Sequence, residues 1–203
     1  MQLLINAALP QDCALCLAPA DALVCGACLA SLPRDDAHST RTVAAFEYRF
    51  PADRLVQRFK FAGDLAIGRW LALQLASRVR GEPRPDLLVC PPLTRGRLIE
   101  RGFNQSVEIA RVVGRELGLR HAPRALRKVR ETAPQHGLGR RERKANLRGA
   151  FRCERPLRGL RVAIVDDVIT TGATADALAA VLRGSGARDV VVWALARAPR
   201  PGS

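Results

Sequence analysis

The chain has 203 residues, 48% of them hydrophobic and 4% aromatic, and a formal charge of +14. That length allows one domain, or one domain with a small appendage, and the apolar fraction is enough for a core of Leu, Val, Ile and Ala. The scarcity of aromatics argues against a surface that reads RNA by ring stacking, and no apolar run reaches the roughly 18–20 residues that cross a membrane. The opening Met1-Gln2-Leu3-Leu4-Ile5-Asn6 has no basic region and its apolar stretch stops at Pro10-Gln11-Asp12, so no signal peptide is expected and the cytoplasm is the default compartment. The charge is uneven: residues 1–40 hold one Arg against four Asp, whereas residues 94–161 hold 19 basic and 6 acidic side chains, a net +13. A localised basic field implies a polyanionic partner. A general taste for Arg, with only Lys60, Lys128 and Lys144 as lysines, explains Arg over Lys but not the clustering.

The first chemical feature is Cys13-x2-Cys16-x8-Cys25-x2-Cys28. Two CxxC pairs on a short spacer can wrap one tetrahedral Zn²⁺, and four thiolates leave no position for water, so such a metal is structural. Disulfides are one rival, though nothing directs the chain to an oxidising compartment; a redox CxxC is another, but such motifs come singly after a strand. Cys90 and Cys153 read as buried free thiols. The zinc module is expected over residues 1–40 and a second, larger domain over 41–203.

In that second domain the sequence predicts a strand at 42–48, a helix after Pro51 through Leu55, Val56 and Phe59, and a helix at 65–79 with Leu71, Leu75 and Val79 at helical spacing. A short buried strand at 86–90 stops at Pro91-Pro92, and a helix follows at 104–118. The Arg-rich stretch 124–148 reads as a long loop with some helix. Strands at 161–165 and 189–195 bracket a helix at 173–184. Continuous apolar strands around a helix signal a parallel sheet covered on both faces, an α/β fold.

The strongest site signal is Val165-Asp166-Asp167-Val168-Ile169-Thr170-Thr171-Gly172-Ala173-Thr174. Ligands of open α/β sheets bind beyond the carboxyl ends of the strands, where this loop is expected. Thr170, Thr171 and Thr174 supply hydroxyls, Gly172 and Ala173 admit close backbone approach, and the following helix start makes an anion cradle of phosphate size. Asp166 and Asp167 repel phosphate; they suit vicinal sugar hydroxyls or, less directly, a metal. The plainer reading makes Asp166 a helix cap and the threonines loop punctuation. No G-x4-G-K-[ST], dinucleotide fingerprint, H-E-x-x-H or G-x-S-x-G occurs. His38, His121 and His136 read as solvated or structural.

At these residues the chain resembles type I phosphoribosyltransferases, and several further stretches narrow the resemblance to the ComF family. These are the double CxxC, Lys60-Phe61-Ala62-Gly63-Asp64, Pro92-Leu93 with Arg97, Arg101-Gly102-Phe103-Asn104-Gln105-Ser106, and Thr132, Gln135, Leu138, Arg141, Asn146, Gly149, Ala150 and Phe151. One departure is Val89-Cys90-Pro91-Pro92-Leu93, where the family reads Val-Pro-Val-Pro-Leu. The resemblance implies a type I phosphoribosyltransferase-like sheet that binds phosphoribosyl pyrophosphate with Mg²⁺. Asp166 and Asp167 would be the catalytic pair on the ribose hydroxyls, Thr170, Thr171, Gly172, Ala173 and Thr174 the 5′-phosphate loop, and Arg95, Arg97 and Arg101, with a flap near Arg140, Arg141 and Arg143, the pyrophosphate side. Two functions then compete. One is phosphoribosyl transfer to an unknown acceptor, associated with DNA uptake in competence; the other is a non-catalytic sensor of the sugar phosphate or a single-stranded DNA-binding competence protein.

Overall fold

The computed structural model describes residues 11–36, 41–130 and 146–199, with the backbone alone at residues 95 and 100. It begins with a small antiparallel pair, β1 (Gln11–Asp12) on β2 (Pro19–Ala20), and a six-residue helix, α1 (Gly26–Ser31). Elements this short do not stand on local propensity. They are held from outside: Cys13, Val24 and Leu32 are buried in the same core as the helices that follow, and the Arg58 guanidinium donates to the Ala14 carbonyl at 2.9 Å.

Strand β3 (Thr42–Glu47) buries Val43-Ala44-Ala45-Phe46 without interruption. Helix α2 (Ala52–Phe61) buries Ala52, Leu55, Val56 and Phe59, a stripe at spacings of three and four. The Asp64 carboxylate accepts from the Ile67 N–H and so caps α3 (Leu65–Val79), which buries Ile67, Leu71, Leu75 and Val79. Strand β4 (Leu87–Val89) is fully buried and halted by the prolines. Thr94 caps α4 (Arg95–Arg101), and left-handed Gly102 closes it; Asn104 caps α5 (Gln105–Leu117), and left-handed Gly118 closes it. Then come β5 (His121–Ala122), β6 (Leu126–Lys128), β7 (Phe151–Cys153), β8 (Arg161–Ile169), α6 (Ala173–Gly184) and β9 (Asp189–Arg197).

Five strands form one parallel sheet in the order β3-β9-β8-β4-β5, and β6 pairs with β7 as a separate antiparallel ribbon. One face of the sheet is covered by α2, α3, α5 and the cysteine module, the other by α6 and the ribbon. The α2–α3 contact is close enough to need a glycine. A Cβ on Gly68 would collide with the buried Phe59 ring. Among the described residues, no helix is long and apolar enough to cross a membrane.

The parallel sheet flanked by helices is as expected, and the helices at 65–79 and 173–184 have the predicted bounds. Three expectations change. The strand predicted at 161–165 runs on to Ile169, because β9 extends to Arg197 and keeps pairing: Asp166 opposite Ala194, Val168 opposite Ala196, Ile169 opposite Arg197. Asp166 and Asp167 therefore lie on a strand rather than in a loop. The stretch 124–148 contains β6, whose partner lies beyond its far end. Cys153 is half-buried at the ribbon's edge rather than buried, while Cys90 is buried as expected. Thr132, Gln135, Leu138, Arg140, Arg141, Arg143, His38 and His136 lie outside the described residues.

Candidate functional site

Because all five strands run the same way, β4 ends at Val89 opposite Ile164 and β8 runs on beyond it at the same rim. Asp166 and Asp167 are half-buried there. Asp166 Oδ1 accepts from the Ser106 hydroxyl at 3.0 Å and from the Asp167 N–H at 2.8 Å. Asp167 Oδ1 accepts from the Val168 N–H at 2.7 Å, and its Oδ2 meets Lys60 Nζ at 2.8 Å. Four elements thus meet at the pair: Lys60 comes from α2, Ser106 from α5, and the Cys90 loop from the end of β4. Burial first, and the adjacent Asp167 charge second, raise the Asp166 carboxyl to about 7, against the Asp167 N–H, the Ser106 hydroxyl and Lys60, which favour its ionised form. Two neighbouring acids are therefore chemically distinct: Asp167 holds the lysine, and Asp166 holds its proton to near-neutral pH.

The frame around the pair is fixed by polar side chains. Asn104 Nδ2 donates to the Pro91 carbonyl at 3.0 Å while Asn104 Oδ1 accepts from the Ser106 N–H at 3.0 Å. The Cys90 thiol, pushed up to about 12 by burial and then by the Asp166 charge, donates to the Ser106 carbonyl at 3.3 Å. The loop after β4 is thereby pinned to the start of α5 at two points. Gln105, 2% exposed, donates to the Lys60 carbonyl and accepts from Arg101 Nη1, both at 3.3 Å. Arg101 also lies 5.7 Å from the centroid of the exposed Phe61 ring, and its Nε is buried with no partner among the described residues.

Past the acids, Thr170 is exposed, Thr171 and Thr174 are half-buried, Ala173 is buried, and Thr171 Oγ1 accepts from the Ala173 N–H at 3.5 Å. Gly172 caps α6 at φ 75 and, having no side chain, makes no cap bond of its own. The left-handed backbone explains the glycine, and nothing lies within 4 Å of where its Cβ would stand. Open space at that position therefore adjoins the start of a twelve-residue helix, where first-turn N–H groups lack helical partners. Asp166 does not cap that helix. Arg97 is exposed on α4, the Thr94 hydroxyl accepting from its N–H at 3.3 Å, and no contact joins it to the acids. The Arg95 side chain lies outside those described. Lys60 and Ser106 were visible in the sequence as parts of longer motifs, but without a role. Lys60 carried a signal of its own, since a chain with 33 basic residues uses lysine only three times.

A separate cavity of about 660 Å³ opens on the other face, between α6 and the ends of β3 and β9, and its lining includes Gly172 and Ile169 but none of Lys60, Ser106, Asp166 or Asp167.

The four N-terminal cysteines form a second group. Their sulfurs all lie within 4.8 Å of one another, and Cys16 Sγ stands 3.8 Å from Cys25 Sγ. Zinc–sulfur bonds of about 2.3 Å at tetrahedral angles put sulfurs about 3.8 Å apart, so the group can hold a metal ion. Burial disfavours the Cys13 thiolate, but N–H donation from Cys16, Cys25 and Leu15 outweighs it and lowers its pKa to about 6. Hydrogen bonding to Cys25, then burial, raises Cys28 to about 12.

No protein-family model matches the chain. It is 39% identical over 193 residues to "DNA utilization protein YhgH" of Salmonella typhi, covering 91% of this chain and 83% of that protein. It is 36% identical over 185 residues to "Competence protein F" of Haemophilus influenzae, covering 86% and 78%. Among solved structures it is similar to adenine phosphoribosyltransferase from Thermoanaerobacter pseudethanolicus, with a TM-score of 0.43 and 17% identity over 68% of this chain and 84% of that one.

Proposed function

The chain belongs to the ComF family, and on that premise we propose that its acid pair and the loop after β8 bind phosphoribosyl pyrophosphate with Mg²⁺ for transfer of the phosphoribosyl group. The observation that carries this reading is the neighbourhood itself. Two carboxylates held by Ser106 and Lys60 stand on the strand that leads, through a left-handed glycine, into the start of a twelve-residue helix. Carboxylates are acceptors for the 2′- and 3′-hydroxyls of a ribose, and the helix start with Thr170, Thr171, Gly172, Ala173 and Thr174 supplies donors for its 5′-phosphate. Arg95, Arg97 and Arg101 are assigned to the pyrophosphate. In the transfer, the bond from the anomeric carbon to the pyrophosphate oxygen breaks, the electron pair leaves with pyrophosphate, and a lone pair of the acceptor makes the new bond as the acceptor gives up a proton. Mg²⁺, when bound, neutralises part of the leaving group's charge. The chain's own part is to position the sugar and hold the leaving group. Isothermal titration with phosphoribosyl pyrophosphate, with and without Mg²⁺, is the test: heat that depends on Mg²⁺ is expected, and no heat in its presence overturns the reading. Pyrophosphate release with an acceptor present separates a transferase from a sensor.

The cysteine group is assigned a structural Zn²⁺, a metal that thiolates keep best in a reducing compartment such as the cytoplasm. A second reading, binding of single-stranded DNA, is favoured by one observation on the β6–β7 ribbon. Arg127 stands directly opposite Arg152, both exposed and neither in an ion pair among the described residues. Like charges facing each other across a ribbon are unfavourable unless an anion lies over them. Sequence-indifferent binding whose log–log salt slope flattens by about 0.7 for each arginine replaced by alanine is expected on a single strand, and an unchanged slope removes this surface.

A further inference from the structure

Three of the four oxygens of the acid pair are already engaged by the chain itself: Asp166 Oδ1 by Ser106 and the Asp167 N–H, Asp167 Oδ1 by the Val168 N–H, and Asp167 Oδ2 by Lys60. Among the described residues only Asp166 Oδ2 is left open. A sugar that offers two neighbouring hydroxyls needs an acceptor on each acid, and at Asp167 it meets an ammonium. The Asp167 and Lys60 side chains are 13% and 22% exposed, so the ammonium is largely shielded from water where it meets the acid. An ammonium is a compact point charge on a flexible four-carbon stem and can be re-aimed without the fixed fork geometry a guanidinium needs.

The base of that stem does not move freely. The Lys60 carbonyl is held by the buried Gln105 amide, whose oxygen holds Arg101. Lys60 and Arg101 are therefore mounted on one residue, and Arg101 keeps a buried Nε with no partner. Two cations on a common mount, one of them spent on an acid that a ligand must reach, describe a charge that changes hands. We propose that Lys60 is a shuttling positioning residue, paired with Asp167 at rest and with the ligand's pyrophosphate, beside Arg101, once ribose hydroxyls occupy Asp167. The exchange is favourable because a pyrophosphate brings more negative charge to the ammonium than the single carboxylate it gives up. The proposal rests on the phosphoribosyl pyrophosphate reading above.

Two ligands separate the possibilities. Phosphoribosyl pyrophosphate with Mg²⁺ carries both halves, while ribose 5-phosphate carries the hydroxyls and one phosphate but no pyrophosphate. In isothermal titration, Lys60→Met should lose about tenfold or more in affinity for phosphoribosyl pyrophosphate, one charge-assisted bond, yet bind ribose 5-phosphate as well as the parent or better. Lys60→Arg should recover part of the loss for the first ligand. If Lys60→Met weakens both ligands alike, Lys60 merely braces Asp167 and the shuttle is wrong, while the sugar-phosphate reading stands. If the parent binds neither ligand, that reading falls and the shuttle with it. Should Lys60→Met melt well below the parent, Lys60→Gln must show the same crossing of the two affinities, and its absence overturns the proposal.

Discussion

The molecule gathers negative ligand groups in two places and handles them in opposite ways. At the end of β8 the chain brings its own cation and hydroxyl to the acids, while one oxygen stays without a partner among the described residues. Among the described residues, the sulfurs of the cysteine module are met by backbone N–H groups and by one another. On the proposed functions the difference has a reason: a site that exchanges ligands would need a placeholder, whereas a site that keeps a metal ion would leave the balancing charge to it.

The contrast can be broken most forcefully at the sulfurs. Cys25→Ser, or a strong chelator, should remove essentially all bound zinc and expose residues 11–36 to protease. Metal-binding energies in such modules are about 10–16 kcal/mol and are spent on folding. Metal analysis and limited proteolysis check this, and full resistance to cleavage without metal would dissolve the distinction. The acids come next. Asp166→Ala and Asp167→Ala should each weaken phosphoribosyl pyrophosphate by about tenfold or more, through loss of a charge-assisted bond worth roughly 1.5–3 kcal/mol. Titration of the two variants sharpens the comparison, since the module's metal content should not change.

Gly68→Ala tests the scaffold shared by both places. Its Cβ would enter the space of the Phe59 ring, itself 1% exposed, so α2 must shift away from α3 at a cost of about 1–3 kcal/mol. Denaturant unfolding should show the lower midpoint with an unchanged slope. A further effect is with pH. The Asp166 carboxyl titrates near 7 in the folded protein against an ordinary 3.8. Between these values the folded state keeps a proton that the unfolded state has lost, so stability falls as pH rises through that window and the penalty is complete above it. Asp166→Asn should flatten this part of the stability curve, as measured by unfolding at a series of pH values.

Elements whose reasons are local were legible in the sequence. Periodicity marked α3 and α6 to the residue, and the spacing Cys13-x2-Cys16-x8-Cys25-x2-Cys28 announced a group that can hold a metal. What depends on pairing was not. The extension of β8 through two acids is imposed by β9, against the poor strand propensity of Asp. Strand β6 is three residues in an Arg-rich run, and only Phe151 and its neighbours, after a long connection, make it a strand. The acids themselves were conspicuous, but Ser106 lies 60 residues from Asp166, and a hydroxyl at a helix start offers no sign of which distant carboxylate it will meet. Sequence spacing exposes ligands that are close in the chain; it hides the residues that fold brings to them.

The exit from the cysteine module has a practical consequence. Asp35, 3% exposed, pairs with Arg197 at 3.0 Å, and Arg197 also donates to the Thr42 carbonyl at 2.8 Å. Arg197 ends β9 directly opposite Ile169, the last strand residue before the threonine loop. Cutting the chain at residue 40 to obtain the sheet alone would leave that guanidinium buried without its carboxylate, an error of roughly 3–5 kcal/mol. The damage would fall on the strand end that leads into the threonine loop. A shortened protein that fails to bind sugar phosphate would then report a misplaced arginine rather than a missing activity. Arg197→Leu, which removes the stranded charge, is the companion change that makes such a truncation informative.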